Sequence, residues 1–284
     1  MSRINNPLLL AAAALLLAAT GCEKVVDLDL KTSDSQLVIE GNLADDNKPC
    51  QVSLSRSVNY AETNAFPPVS GATITLADDA GGRETLRETS PGQYAGAVIR
   101  GVSGRTYTLR VETAGSAYVA VSTLPGVPSL VGNPAPVPFE ALRTEVSAFG
   151  PNNRIQAVVE FTDPLGLGNS YLFRQYRNGR LSKTIFLQND KFTDGKHVTQ
   201  ALRVPGGGSS DPNDLDKLVS GDSLVVEMQN VDPNAYEYFR TLNQILQNNP
   251  IFSTTPANPQ SNFTGGALGY FNAHSRRVRR IVVP

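Results

Sequence analysis

The most specific chemistry in this chain is offered by Cys22. It follows Arg3, an apolar core from Leu8 to Leu17 and the small residues Ala18-Ala19-Thr20-Gly21. A basic start, an apolar stretch too short to cross a bilayer and a small-residue run ending in a cysteine read as a secretory signal with a lipobox. In such a segment the cut falls before the cysteine, whose thiol carries a diacylglycerol. Ala19 stands where a larger aliphatic residue is more usual, three positions before the cysteine. The competing reading is an ordinary cleaved signal whose cysteine is incidental. The expectation is that residues 1–21 are removed and that the mature protein begins at Cys22, held on a membrane by lipid. Each buried methylene contributes about 0.8 kcal/mol, and two or more chains hold stably, so the folded part needs no membrane-binding surface of its own.

Other side chains with catalytic or ligating chemistry are few. The chain has two cysteines and two histidines. Cys50, Val52 and Leu54 alternate with Gln51, Ser53 and Ser55, which places the Cys50 thiol on the buried face of a strand as a small hydrophobe. His197 lies in a polar stretch and His274 follows the apolar GYFNA strand. No G-x-S-x-G elbow accompanies either, so no nucleophile–base pair is indicated and no catalytic residue is assigned. Asp45-Asp46 and Asp78-Asp79 sit in hairpin turns, where local backbone bonding accounts for aspartate. Asp211, Asn213, Asp214 and Asp216, after Gly206-Gly207-Gly208, gather oxygen donors of the kind calcium takes. Their spacing lacks the glycine and terminal glutamate of an EF-hand loop, so they are candidates only, and neither metal nor cofactor is assigned. Arg276, Arg277, Arg279 and Arg280 form a candidate basic patch. The competing reading is an edge strand guarded by charge.

The elements that must position these residues are strands. The formal charge is -1, and -2 once Arg3 is removed, which gives no electrostatic argument for nucleic acid. Glycine and proline are plentiful and tryptophan is absent. Strand-like runs at 36–41, 50–57, 71–77, 84–89, 93–99, 106–113 and 118–124 are separated by turn residues, which predicts an immunoglobulin-like β-sandwich over 36–130. Residues 22–35 read as a tether. Pro125, Pro128, Pro134, Pro136 and Pro138 mark a junction, because proline cannot donate to a ladder. The remainder, 131–284, reads as a second, mostly-β domain, with Asn178-Gly179 as a hairpin turn. One helix is expected near 233–247, capped by Asp232 and carrying Tyr236, Phe239, Leu242 and Ile245/Leu246 on one face. Long segments after about position 130 are expected to make the binding contacts, with the first sandwich as a spacer.

Taken together, the chain resembles an outer-membrane lipoprotein family of Bacteroidetes known as a domain of unknown function, DUF4249. The resemblance is carried by Gly21-Cys22-Glu23, QLVIEG, GATITLADD, GRTYTLRV, FTDPLGLGNSY, VDPNAYEYFRTL and SNFTGGALGYFNAHS, in that order. It implies lipid anchorage at the outer membrane, with the periplasmic or cell-surface face left open, and the company of a TonB-dependent nutrient receptor. It carries over no catalytic residues. The expected function is an accessory binding or scaffold protein without enzymatic activity, its ligand unspecified. The alternatives are an extracytoplasmic enzyme such as a hydrolase, and a structural adhesin-like module.

Overall fold

Period-two alternation gives each strand one apolar and one polar face, and a computed structural model shows what those faces meet. It describes residues 35–58, 66–127, 134–147, 154–204, 214–247 and 258–284. The expected signal peptide 1–21, the lipidation site Cys22, the tether up to residue 34, and the candidate ligands Asp211 and Asn213 lie outside the described residues. In chain order the first strands are β1 (Leu37–Ala44), β2 (Pro49–Arg56), β3 (Thr73–Asp78), β4 (Arg83–Thr85), β5 (Arg87–Ser90), β6 (Gln93–Arg100), β7 (Thr106–Thr113) and β8 (Ser116–Thr123). Then come β9 (Ala141–Val146), β10 (Ile155–Thr162), β11 (Ser170–Arg177), β12 (Arg180–Asn189), β13 (His197–Leu202) and β14 (Ser223–Asn230). The helix α1 (Pro233–Gln247), β15 (Phe263–Thr264) and β16 (Leu268–Val282) complete the order.

Among the described residues the fold is all-β with one helix, and its first part is an immunoglobulin-like sandwich. Three sheets form: β12-β11-β14-β16-β1-β2-β6-β5, β15-β8-β7-β3-β4 and β13-β10-β9. The first core lies between the large and the five-stranded sheet, with Ile39, Leu43, Leu54, Ile74, Leu109 and Phe271 fully buried. The second lies between the large and the three-stranded sheet, around Phe161, Tyr171, Phe173 and Val226. A third packs α1 on the opposite face of β11 and β16, through Leu172, Tyr238, Phe239 and Tyr270. Each large side chain so buried contributes roughly 1.5–3 kcal/mol.

The structure joins what the sequence reading divides near residue 130: Ser35–Pro284 forms one compact unit. The cause is β16, a 15-residue strand. Its first half runs parallel to β1, pairing Val38 with Leu268 through Ala44 with His274. Its second half runs antiparallel to β14, pairing Asn230 with Ser275 through Ser223 with Val282. Phe271 and Ala273 therefore enter the first core, and Ile281 packs against the second. The edge-strand reading of the segment with Arg276, Arg277, Arg279 and Arg280 is thus corrected: the segment is the second half of a strand paired inside the large sheet. β15 also returns to the first sandwich, where it pairs with β8.

The single run expected at 84–89 is likewise two strands. Leu86 turns inward, buried in the first core, and its N–H donates to Ile74 O at 2.9 Å. β4 therefore stays in the five-stranded sheet and β5 passes to the large one. The helix begins as expected: Asp232 Oδ1 accepts from Asn234 N at 2.8 Å and Ala235 N at 3.1 Å. Its buried face is turned relative to the predicted stripe. Ala235, Tyr238 and Phe239 are inside, with Tyr236 and Leu242 partly buried, and Leu246 is exposed.

Candidate functional site

Where β16 changes partner, between His274 and Ser275, the ends of β1 and β14 part. On the face that carries α1, this leaves a polar cleft of about 330 Å³. Strand alternation decides which residues reach it. Asn42, Gln51, Arg174, Glu227, Gln229, Tyr270, His274 and Arg276 point into it, while their odd or even neighbours supply the apolar cores. The cleft draws on both halves of the chain: β1 and β2 provide Asn42 and Gln51.

Most charge in the cleft is internally neutralised. Arg276 pairs with Glu227 at 2.8 Å and with Asp46 at 3.5 Å. Asp46 also meets Lys48 at 3.4 Å, and Glu227 accepts from the Gln229 amide at 2.6 Å. His274 is buried, and that burial holds its pKa below the ordinary value, an effect the Arg174 charge reinforces and Glu227 opposes. Tyr270 is pushed up by burial and its hydroxyl accepts from the Asn42 amide at 3.3 Å. Arg174 differs from its neighbours. Its guanidinium carbon lies 5.6 Å from the Phe239 ring centroid, and its buried Nε has no hydrogen-bond partner. No carboxylate among the described residues forms an ion pair with it. The cleft therefore presents a guanidinium that hydrogen-bonds the Tyr270 phenol and has no carboxylate ion pair among the described residues, with its buried Nε left without a partner. The planar fork of a guanidinium so placed can engage two oxygens of a carboxylate or phosphate.

The other sequence candidates fall elsewhere. Of the four arginines only Arg276 lines the cleft. Arg277 pairs with Asp45 at 2.9 Å, and Arg279 Nε donates to Phe139 O at 2.9 Å. Two of the four are thus committed to carboxylates, and the structure does not gather them as a free basic patch; Arg280 lies exposed. Asp216 accepts from the Ser182 and Thr184 hydroxyls, the latter at 2.6 Å, and Asp214 accepts from Asp216 N at 3.0 Å and lies 3.8 Å from Arg154. Cys50 is fully buried, and burial pushes its thiol up, with the nearby Glu84 charge adding to the effect. His197 is exposed, 3.3 Å from Glu140. Among the described residues no helix is long and apolar enough to cross a membrane. Sequence reasoning missed Arg174, Asn42 and Gln229, which stand on three separate strands; the available signal was a run of polar residues at alternate positions otherwise framed by apolar ones.

Comparison with known proteins gives three findings. Among solved structures, a two-domain fibronectin type-III segment of chicken tenascin matches at 14% identity and a TM-score of 0.20, covering 70% of this chain and 92% of that one. The chicken interferon gamma receptor alpha chain matches at 9% identity and a TM-score of 0.22, covering 70% and 90%. Both TM-scores are low, and the fold assignment rests on this chain's own strands and layers. No curated protein matches. The family described as "Domain of unknown function (DUF4249)" matches residues 23–280, nearly the whole chain beyond Cys22, and the protein belongs to that family.

Proposed function

We propose that this protein is an accessory binding or scaffold protein rather than an enzyme, lipid-anchored at the outer membrane through Cys22 and associated with a TonB-dependent nutrient receptor. The anchor is supported by the signal and lipobox pattern. The binding role is supported by one observation above the rest: the Arg174 guanidinium, without a carboxylate partner, faces a polar cleft of about 330 Å³. That volume is at the lower end of small-molecule sites. The ligand class it fits is a small, hydrogen-bonding molecule with one carboxylate or phosphate group.

The test compares wild type with Arg174→Leu in thermal-unfolding assays containing galacturonate, glutamate or inorganic phosphate. At least one anion should raise the wild-type midpoint, and none should raise that of the variant. Equal shifts in both proteins, or no shift in wild type with any of the three, would remove the cleft as the binding site. Recovery of a receptor with the mildly solubilised lipoprotein tests the partner assignment separately.

A further inference from the structure

Two loops, residues 163–169 and 190–196, are bound to each other at one end of the second sandwich. Asp163 N donates to Lys196 O at 2.9 Å and Asp190 N to Asn169 O at 3.1 Å. Side chains tighten the junction. Asp190 Oδ2 accepts from Gly168 N at 2.6 Å and Asn169 N at 2.7 Å, and Asp194 Oδ1 accepts from Gly166 N at 2.7 Å. Asp163 Oδ1 accepts from the Tyr171 hydroxyl at 2.5 Å. The hydrogen bonds of Asp190 and of Asp194 thus each fall on one of the two carboxylate oxygens.

The three carboxylates offer oxygens that all lie within 4.8 Å of one another. Asp163 and Asp190 are only 0% and 5% exposed. The lysines of the second loop are turned away from them: Lys196 Nζ donates to Phe192 O at 3.1 Å, and Lys191 lies over the Phe192 ring. No ion pair to the three exists among the described residues. A second observation is independent of this clustering. Asp163 Oδ2 and Thr193 Oγ1 are buried without a hydrogen bond of ordinary geometry, and the Thr193 side chain lies against the Asp163 carboxyl. Buried charges are ordinarily paired or coordinate a metal, and an orphaned buried oxygen calls for a water or an ion.

We propose that Asp163, Asp190 and Asp194, together with the Thr193 hydroxyl, form a calcium-binding site. The donor set is all oxygen, which excludes soft-metal preference and suits a hard divalent cation. It comes from two irregular loops, whose adaptable geometry calcium accepts and magnesium, with its strict octahedron, does not. Three carboxylates held this close together repel one another unless a cation lies between them. The site is separate from the Asp211–Asp216 loop in which the sequence gathers its most conspicuous oxygen donors.

The experiment is a terbium titration of the full-length, detergent-purified chain. The chain contains no tryptophan, so sensitised terbium emission reports tyrosine, and the Tyr171 hydroxyl is 2.5 Å from Asp163. One ion per chain is expected, displaced by calcium with a dissociation constant on the order of 10⁻⁴–10⁻³ M, the range of extracellular modules, and not by equal magnesium. Calcium should also raise the unfolding midpoint by roughly 5 °C at saturating concentration. Asp194→Asn, the least buried of the three, should weaken binding at least about tenfold while the far-ultraviolet dichroism stays native, and Asp163→Asn should abolish it. Absence of emission and of any calcium-induced shift up to about 10 mM would overturn the proposal. So would one-to-one binding that persists unchanged in a folded Asp194→Asn protein.

Discussion

Asp222 holds the hairpin between β11 and β12 in place. It accepts from Arg177 Nε at 2.6 Å, Asn178 Nδ2 at 2.8 Å and Val219 N at 2.9 Å, and it is buried. Burial alone would push its carboxyl up; the Val219 N–H, the Asn178 amide and the Arg177 guanidinium outweigh burial and hold it below the usual range. Its stabilising contribution is therefore complete above the unfolded value of 3.8 and is lost as pH falls through the lower folded value. Asp222→Asn should cost about 2–3 kcal/mol at neutral pH. Urea melts from pH 7 to pH 2.5 should show a shallower acid decline in the variant than in wild type. An identical decline would remove Asp222 from the acid sensitivity. The turn that Asp222 braces was legible from two letters: Asn178 and Gly179 both take positive φ, 51° and 79°, as an Asn-Gly hairpin requires. Cys50 was legible from its alternation. The acidic trio was not, because Asp163 belongs to a different loop from Asp190 and Asp194, and backbone and side-chain hydrogen bonds between the loops bring them together.

At the scale of elements, the parallel contact of β1 with β16 depends on one missing side chain. Gly269 has φ 95°, and a Cβ there would lie 2.0 Å from Ile39 O, inside the ladder itself. Gly266, three residues earlier, has φ 83°, and a Cβ on it would meet nothing within 4 Å. Alanine at either position incurs the left-handed backbone penalty, about 1–2 kcal/mol. Only Gly269→Ala adds a clash with backbone, and it should cost about 3 kcal/mol or more. Denaturant midpoints of the two variants separate these contributions; equal losses would mean that the close approach at Ile39 relaxes freely. The existence of most strands followed from alternation, but two features did not. The run around Leu86 looks like one strand, since a change of sheet leaves no local mark beyond one inward leucine. The length of β16 was hidden by Arg276, Arg277, Arg279 and Arg280, which interrupt its apolar alternation. The charges of Arg276 and Arg277 are met by Asp45, Asp46 and Glu227, residues that no local pattern associates with them.

For the whole molecule, the polar cleft, the three sheets and the expected anchor make a single prediction about location. On the proposed function, attachment depends on lipid at Cys22. Cys22→Ser should move the protein from the outer-membrane fraction to the soluble fraction and prevent incorporation of labelled fatty acid. A variant that stays wholly with the membrane and still takes up the label would refute the anchor. The shared strand has a different consequence, in time rather than in space. A chain emerging from its N-terminus presents β1 long before the partner strand exists; the Arg276 N–H that bonds Asp45 is 231 positions away. Until then one edge of β1 stays open, a template for pairing with other chains. Such distant pairing is also slow, because the loop must close before any contact forms to offset it. Sequential folding, one domain after another, is therefore denied to this protein. A chain stopped short of Leu268 lacks the wall that closes both sandwiches at once.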